Sequence, residues 1–174
     1  MGSGTKVDKS ETVFSEGSLS LTDSKLDFSI DGRGFFGLLD PQTNESVYTR
    51  NGSFVMSQRG EKFYLASKEG YFVLGKDGQP IEITGQEDKL EPGVYDFPVI
   101  EGFECVGDTN FKPVEKNGVG YMIEANVRQN CLEGSNVDVS EEITKVIEAQ
   151  RAYQYSLRCV QTSDEIQELI NNLR

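Results

Sequence analysis

Asp138-Val139-Ser140-Glu141-Glu142-Ile143-Thr144-Lys145-Val146-Ile147-Glu148-Ala149-Gln150-Arg151-Ala152-Tyr153 opens a stretch that reaches Arg174 without a glycine or proline. Asp138 is placed to cap a first turn, with Glu141 three residues on at capping-box spacing. Asp138, Glu141 and Glu142 put negative charge at the positive end of a helix dipole. Glu141 and Lys145 form an i,i+4 pair in the favourable order. The pattern predicts one uninterrupted helix over about 138–174, roughly 50 Å long at the usual rise per residue.

Two seams run along that helix. Ile143, Val146, Tyr153, Leu157 and Val160 recur at heptad-like spacing, with Gln150 interrupting. Beside them lie Ala149, Ala152, Ser156, Cys159 and Ser163, continued by Ile166, Ile170 and Leu173. Small residues let a second helix approach closely, and the larger ones bury area. The sequence upstream offers no second helical pattern to cover these seams. A β part of about 130 residues would be only some 30–40 Å across if compact, too short to cover a helix of this length. A long uncovered apolar stripe is an interaction surface or an aggregation liability. Here it implies partner helices from other chains, or from a segment absent from this one. The assembly candidates are therefore Ile143, Val146, Ala149, Ala152, Tyr153, Ser156, Leu157, Cys159 and Val160. Gln150 and Arg151 are expected to fix register through hydrogen bonds and charge pairing.

Upstream of about residue 132 the pattern is different: short runs of Phe, Tyr, Val and Ile between Gly, Asn and Asp. Leu26 to Asp31 alternates apolar and polar, as a half-buried strand does. Gly32-Arg33-Gly34 turns the chain, and Phe35 to Leu39 reads as the return strand. Asn51-Gly52, between 47–50 and 53–57, suits a type I′ hairpin. Runs at 62–66 and 71–74 follow, separated by the Lys68-Glu69-Gly70 turn. Lys76-Asp77-Gly78 turns again before Ile81 and Ile83. Val94 to Ile100 reads as an edge strand, because Pro92 and Pro98 limit its pairing. Phe111–Val114 and Val119–Ile123 are further strands. The expected fold is mainly β: an antiparallel, hairpin-rich domain over 11–132, then the long C-terminal α-helix over 133–174. Residues 1–10 read as a tag, linker or replaced N-terminus, with Met1-Gly2-Ser3-Gly4 like a cloning remnant. Gly32, Gly34, Asn51 and Gly52 are read as fold-determining turn residues.

Composition removes several function classes. The 174 residues carry a net charge of −12, and the basic ones are scattered. Nucleic-acid binding and a polybasic membrane patch both need clustered Lys and Arg. There is no histidine, so no Ser-His-Asp or Cys-His catalysis and no His-ligated metal. No apolar run is long enough to span a bilayer or serve as a signal-peptide core. Cys105, Cys131 and Cys159 are too dispersed for a disulfide framework or zinc knuckle and read as semi-buried free thiols. Gly32 to Gly37 fits G-x-G-x-x-G, but Leu38-Leu39-Asp40-Pro41 cannot open the helix that pyrophosphate binding requires. Gly70 to Lys76 fits most of a phosphate loop, but Asp77 stands where Ser or Thr must bind magnesium. Asn44-Glu45-Ser46 and Asn51-Gly52-Ser53 are glycosylation patterns of the kind Asn-rich turns produce by chance. No catalytic residue, cofactor, metal or small-molecule substrate is expected.

Several stretches resemble one protein family. Leu26-Asp27-Phe28-Ser29-Ile30-Asp31-Gly32-Arg33-Gly34-Phe35-Phe36 is similar to the L-D-x-A-I-x-G-x-G-F-F segment of bacterial flagellar basal-body rod and hook proteins. Phe14-Ser15-Glu16-Gly17-Ser18-Leu19 is similar to its lead-in, and Tyr48-Thr49-Arg50-Asn51-Gly52-Ser53-Phe54 to its Y-T-R-x-G-x-F segment. The most specific likeness is Leu132-Glu133-Gly134-Ser135-Asn136-Val137-Asp138-Val139, running through Ile147-Glu148-Ala149-Gln150-Arg151-Ala152-Tyr153 to Gln161-Thr162-Ser163-Asp164-Glu165. The resemblance implies a structural subunit of the flagellar rod, whose terminal helices pair into an inner tube beneath an outer β domain. It implies partners among its own copies and other rod and hook subunits. It also implies a place in the periplasmic rod, reached by type III export without a cleaved signal peptide. A hook subunit is the alternative within the family. Outside it stand a β-rich carbohydrate-processing enzyme with paired carboxylates and a ligand-binding module with an apolar pocket.

Overall fold

The computed structural model describes residues 14–85 and 90–173. They fall into two units, divided between Asn136 and Val137. The segment read above as a tag or replaced terminus, residues 1–10, lies outside the described residues.

The first unit is antiparallel throughout. Its strands are β1 (Leu19–Leu21), β2 (Phe28–Asp31), β3 (Phe35–Leu39), β4 (Ser46–Thr49), β5 (Val55–Arg59), β6 (Lys62–Ala66) and β7 (Phe72–Val73). After these come β8 (Val94–Asp96), β9 (Glu104–Val106), β10 (Asn110–Lys112), β11 (Tyr121–Ile123), β12 (Asn126–Gln129) and β13 (Cys131–Glu133). The main sheet has the order β5-β6-β7-β3-β4-β10-β9, with β8 and β11 attached through β3. Two ribbons, β1 with β13 and β2 with β12, complete the unit.

β3 organises the sheet. One edge pairs with β4, Phe36 opposite Thr49 and Leu39 opposite Ser46. The other edge is shared by β7 and β8, Leu38 opposite Val73 and Phe36 opposite Val94. Both faces of β3 are covered as well, since the adjacent Phe35 and Phe36 are both buried, and such a strand is apolar along its length rather than alternating. Leu38 is buried with them. Phe36 and Leu38 meet Phe28, Ile30, Val47, Phe54, Leu65, Val73 and Ile83 in the core. A second cluster is aromatic: Phe14, Phe35, Phe97, Phe103 and Phe111 stand edge-to-face or tilted.

Several local readings are corrected. Asn51-Gly52 does not close a hairpin: β4 pairs with β3 and β10, while β5 pairs with β6. Gly52 is absent from the positive-φ positions. Its glycine serves close approach instead, since a Cβ there would lie 1.7 Å from the Phe28 carbonyl oxygen. That carbonyl belongs to a segment bound to Gly52, whose own carbonyl accepts from the Phe28 and Phe54 amides. Gly32 (φ 106°) and Gly34 (φ 121°) do turn the chain through the left-handed region. The turn, however, sends β2 to β12 and β3 to a different sheet, so the two are not paired. Nor is β2 half-buried, because Ser29 is as buried as Phe28 and Ile30. β8 is no edge strand, being paired with β3 on one side and β11 on the other. Pro92 is accommodated just outside the paired residues, bridging to Gly75. The three thiols are not alike: Cys131 is buried, while Cys105 and Cys159 are exposed.

The second unit is a single helix, α1 (Val139–Asn172), of 34 residues. Asp138 caps it, its carboxylate accepting from the Ser140 amide at 2.8 Å and the Glu141 amide at 3.4 Å.

Candidate assembly surface

The candidate assembly residues all lie on α1, and none of the helix is buried. Tyr153 and Val146 are 65% and 64% exposed, and Ile143, Leu157 and Val160 are exposed as well. Ala149, Ala152, Ser156 and Cys159 share that exposure. Gln150 and Arg151 are exposed with them. Helical stability in proteins comes largely from packing an apolar face. A helix of this length carrying Ile, Val, Leu and Tyr in solvent is a candidate interface.

Hydrogen bonding alters the chemistry of the small-residue seam. The Ser156 hydroxyl donates to the Ala152 carbonyl at 3.0 Å, and the Ser163 hydroxyl to the Cys159 carbonyl at 2.9 Å. A serine that bonds back to residue i−4 spends its donor inside its own helix. The seam therefore presents a shallow, nearly apolar notch. At the start of the helix, the Glu141 and Glu142 carboxylates both reach the Lys145 ammonium at 2.9 Å. These adjacent acids therefore converge on one ammonium. The paired carboxylates hold the Lys145 ammonium well above its ordinary pKa, through hydrogen bonds and charge.

The chain that leads into the helix is anchored by residues the sequence reading quoted without giving them a role. The Arg50 guanidinium donates to both carboxylate oxygens of Glu133, at 2.8 and 3.1 Å. Its remaining nitrogen donates to the Gly32 and Gly34 carbonyls at 2.8 and 2.7 Å. Glu133 in turn accepts from the Gly17 amide at 2.9 Å. The planar fork of arginine suits such a two-oxygen, two-carbonyl task, and lysine does not. Gly134 donates to the Ser18 carbonyl, and Asn136 reaches the Ser15 carbonyl at 3.0 Å. The only available signal was indirect: Arg50 and Glu133 both sit inside stretches that resemble the family. Gly32 and Gly34 thus do two jobs, turning the chain and offering carbonyls to Arg50. Asn51 shapes the next bend, its side-chain oxygen accepting from the Ser53 amide.

The two phosphate-loop look-alikes are strands. The residues after Gly34 form β3, and those after Gly70 form β7. Among the described residues, no three His, Cys, Asp or Glu side chains are grouped as a metal would need.

Comparison with known proteins follows the same two regions. Residues 29–93 match the model of the flagellar hook protein FlgE/F/G D1 domain. Residues 128–173 match that of the flagellar basal body rod FlgEFG protein C-terminal region. The flagellar basal-body rod protein FlgG of Buchnera aphidicola subsp. Schizaphis graminum is 30% identical, covering 99% of this chain and 74% of the relative. The FlgG protein of Borreliella burgdorferi is also 30% identical, over 100% and 74%. This chain belongs to the flagellar rod and hook protein family. The FlgF rod protein of Mesorhizobium japonicum is 31% identical, covering 90% of this chain and 70% of the relative. The two matched regions hold different parts of this architecture. The first holds the Gly32–Gly34 turn and Arg50, and the second holds Glu133 and α1.

Proposed function

We propose that this chain is a structural subunit of the flagellar rod, assembling through α1 into a helical shaft that transmits torque to the hook. The observation that carries this reading is the 34-residue helix with no buried residue, in a chain whose relatives are named basal-body rod proteins. Its partners are further copies of itself and other rod and hook subunits. A head-to-tail contact that does not close on itself produces such a filament. Ile143, Val146, Tyr153, Leu157 and Val160 supply buried area, and the notch of Ala149, Ala152, Ser156 and Cys159 lets the next helix come close. Gln150, which lies among the seam residues, sets the register, whereas Arg151 projects from the side of α1 away from both seams. The chain performs no catalysis, and its domains divide the work: the β unit spaces the subunits and the helix joins them. The subunit works in the periplasm, exported by the flagellar type III apparatus without cleavage of a signal peptide.

The test is to remove the gene and to purify basal bodies from cells carrying a tagged chain. Loss of motility with arrested rods, and many copies of the tag in the rod fraction, are the expected results. Cells that swim normally without the chain overturn the proposal, and a tag confined to hooks moves the subunit to the hook.

A further inference from the structure

α1 has a side that neither seam uses. At about 100° per residue, Arg151, Tyr155 and Arg158 fall within roughly 60° of one another, on the side away from both seams. All three are exposed, Tyr155 by 65%. Between Ile143 and Ser163 the charged residues are Lys145, Glu148, Arg151 and Arg158, a cationic stretch in a chain of net charge −12. Among the described residues, neither of these guanidiniums has an ion-pair partner.

The β unit holds a complementary cleft of about 490 Å³, within the roughly 300–1,000 Å³ that binding pockets occupy. Phe14, Phe35 and Phe111 line it, with rings 5.0–6.1 Å apart. Glu16, Asp96 and Asp108 line it beside Arg33, the Asp96 carboxylate accepting from the Phe97 amide at 2.8 Å. Arg50 is committed to Glu133. Glu16 and Asp108 are exposed and have no ion-pair partner among the described residues. Phe35 is buried at 3% exposure, so the half-buried Phe14 and Phe111 are the rings open to a guanidinium, which stacks on the ring and pairs with an acid at once.

We propose that the cleft of one copy receives the Arg151–Tyr155–Arg158 face of a neighbouring copy's helix. The inference rests on the reading of the chain as a rod subunit and adds a second contact to it. A second copy is the occupant because both halves of the charge match lie on the same chain, and such a contact propagates head to tail. One helix then serves two neighbours, helices through its seams and a β unit through its opposite side.

The test uses two charge-reversed full-length chains in cells lacking the native gene. One carries Glu16→Lys and Asp108→Lys, the other Arg151→Glu and Arg158→Glu. Each alone is expected to reduce completed rods by at least about tenfold, with its purified melting temperature unchanged. Co-expression is expected to restore rods, because the unaltered helix of the first fits the unaltered cleft of the second, and the two reversed surfaces fit each other. Normal rods from either variant alone overturn the inference, as does failure of co-expression. If a reversal unfolds the chain, the neutral pairs Glu16→Gln/Asp108→Asn and Arg151→Gln/Arg158→Gln replace it, and normal rods from either again overturn the inference. Failure of the rod reading itself would be seen separately, as rods completed with no copy of this gene.

Discussion

Gly52 and Arg50 sit two residues apart and are constrained in opposite ways. Gly52 is defined by what cannot be added. A methyl group 1.7 Å from the Phe28 carbonyl oxygen cannot be accommodated without moving β2, and Phe28 is a core residue at 1% exposure. Gly52→Ala should therefore fall at the severe end of single substitutions, about 4 kcal/mol or more. Thermal melting of the purified chain checks this, and a loss under 1 kcal/mol would show that the segment yields. Arg50 is defined by what it holds. Its removal leaves Glu133, 12% exposed, and two glycine carbonyls without their donor. Arg50→Ala should cost about 2–4 kcal/mol, or about 5–15 °C of melting temperature. Arg50→Lys should recover only part of the loss, because an ammonium cannot span four acceptors in one plane. Full recovery would mean that charge alone matters.

The elements differ in how their stability is supplied. The β3–β4 connection is held by Asp40, whose carboxylate accepts from the Gln42 amide at 2.7 Å. That bond lowers the Asp40 pKa below 3.8, so its contribution is present above pH 3.8 and fades as pH falls through the depressed value. Asp40→Asn should narrow the stability difference from the parent at low pH. Melting curves at about pH 7 and about pH 2.5 decide it: an equal difference at both leaves Asp40 no such role. The helix has the cap and ion pairs that sequence patterning demanded, but no buried face. Its amides, from Ser156 on, should exchange with solvent faster than those of β3 in dilute solution. Slow exchange across Ser156–Leu173 would mean that the isolated chain already covers its seams.

At the scale of the whole molecule, the decisive probe is Ala152→Leu. Leucine keeps local helicity, so the purified chain should melt within about 1–2 °C of the parent. Added volume in a close-packed contact costs about 1–3 kcal/mol, repeated at every subunit, so rods should fail to complete. Normal motility would remove this face from the assembly surface, and a collapsed melting temperature would place Ala152 inside its own subunit. The sequence made the class of fold legible because each strand and the helix carry their own periodicity and punctuation. Lys62–Ala66 and Phe35–Leu39 were readable to the residue. What it hid was pairing. Asn51-Gly52 has the composition of a hairpin turn, but its geometry answers to a distant carbonyl at Phe28. Pro92 suggested an edge, yet β8 pairs on both sides because the proline lies just outside the paired residues. The Arg50–Glu133 clamp joins positions 83 residues apart, beyond the reach of any local pattern.

That clamp, with the Gly17, Ser18 and Asn136 bonds around it, has an architectural consequence. The β unit begins and ends at one place, with β1 and β13 running side by side in opposite directions like the two legs of a hairpin. The stretch between Gly17 and Glu133, positions 116 apart, is therefore a cassette. Its strands can lengthen, shrink or be exchanged for another module while the two legs stay in place, so the outer decoration of a subunit can diversify with its connection to the shaft unaltered.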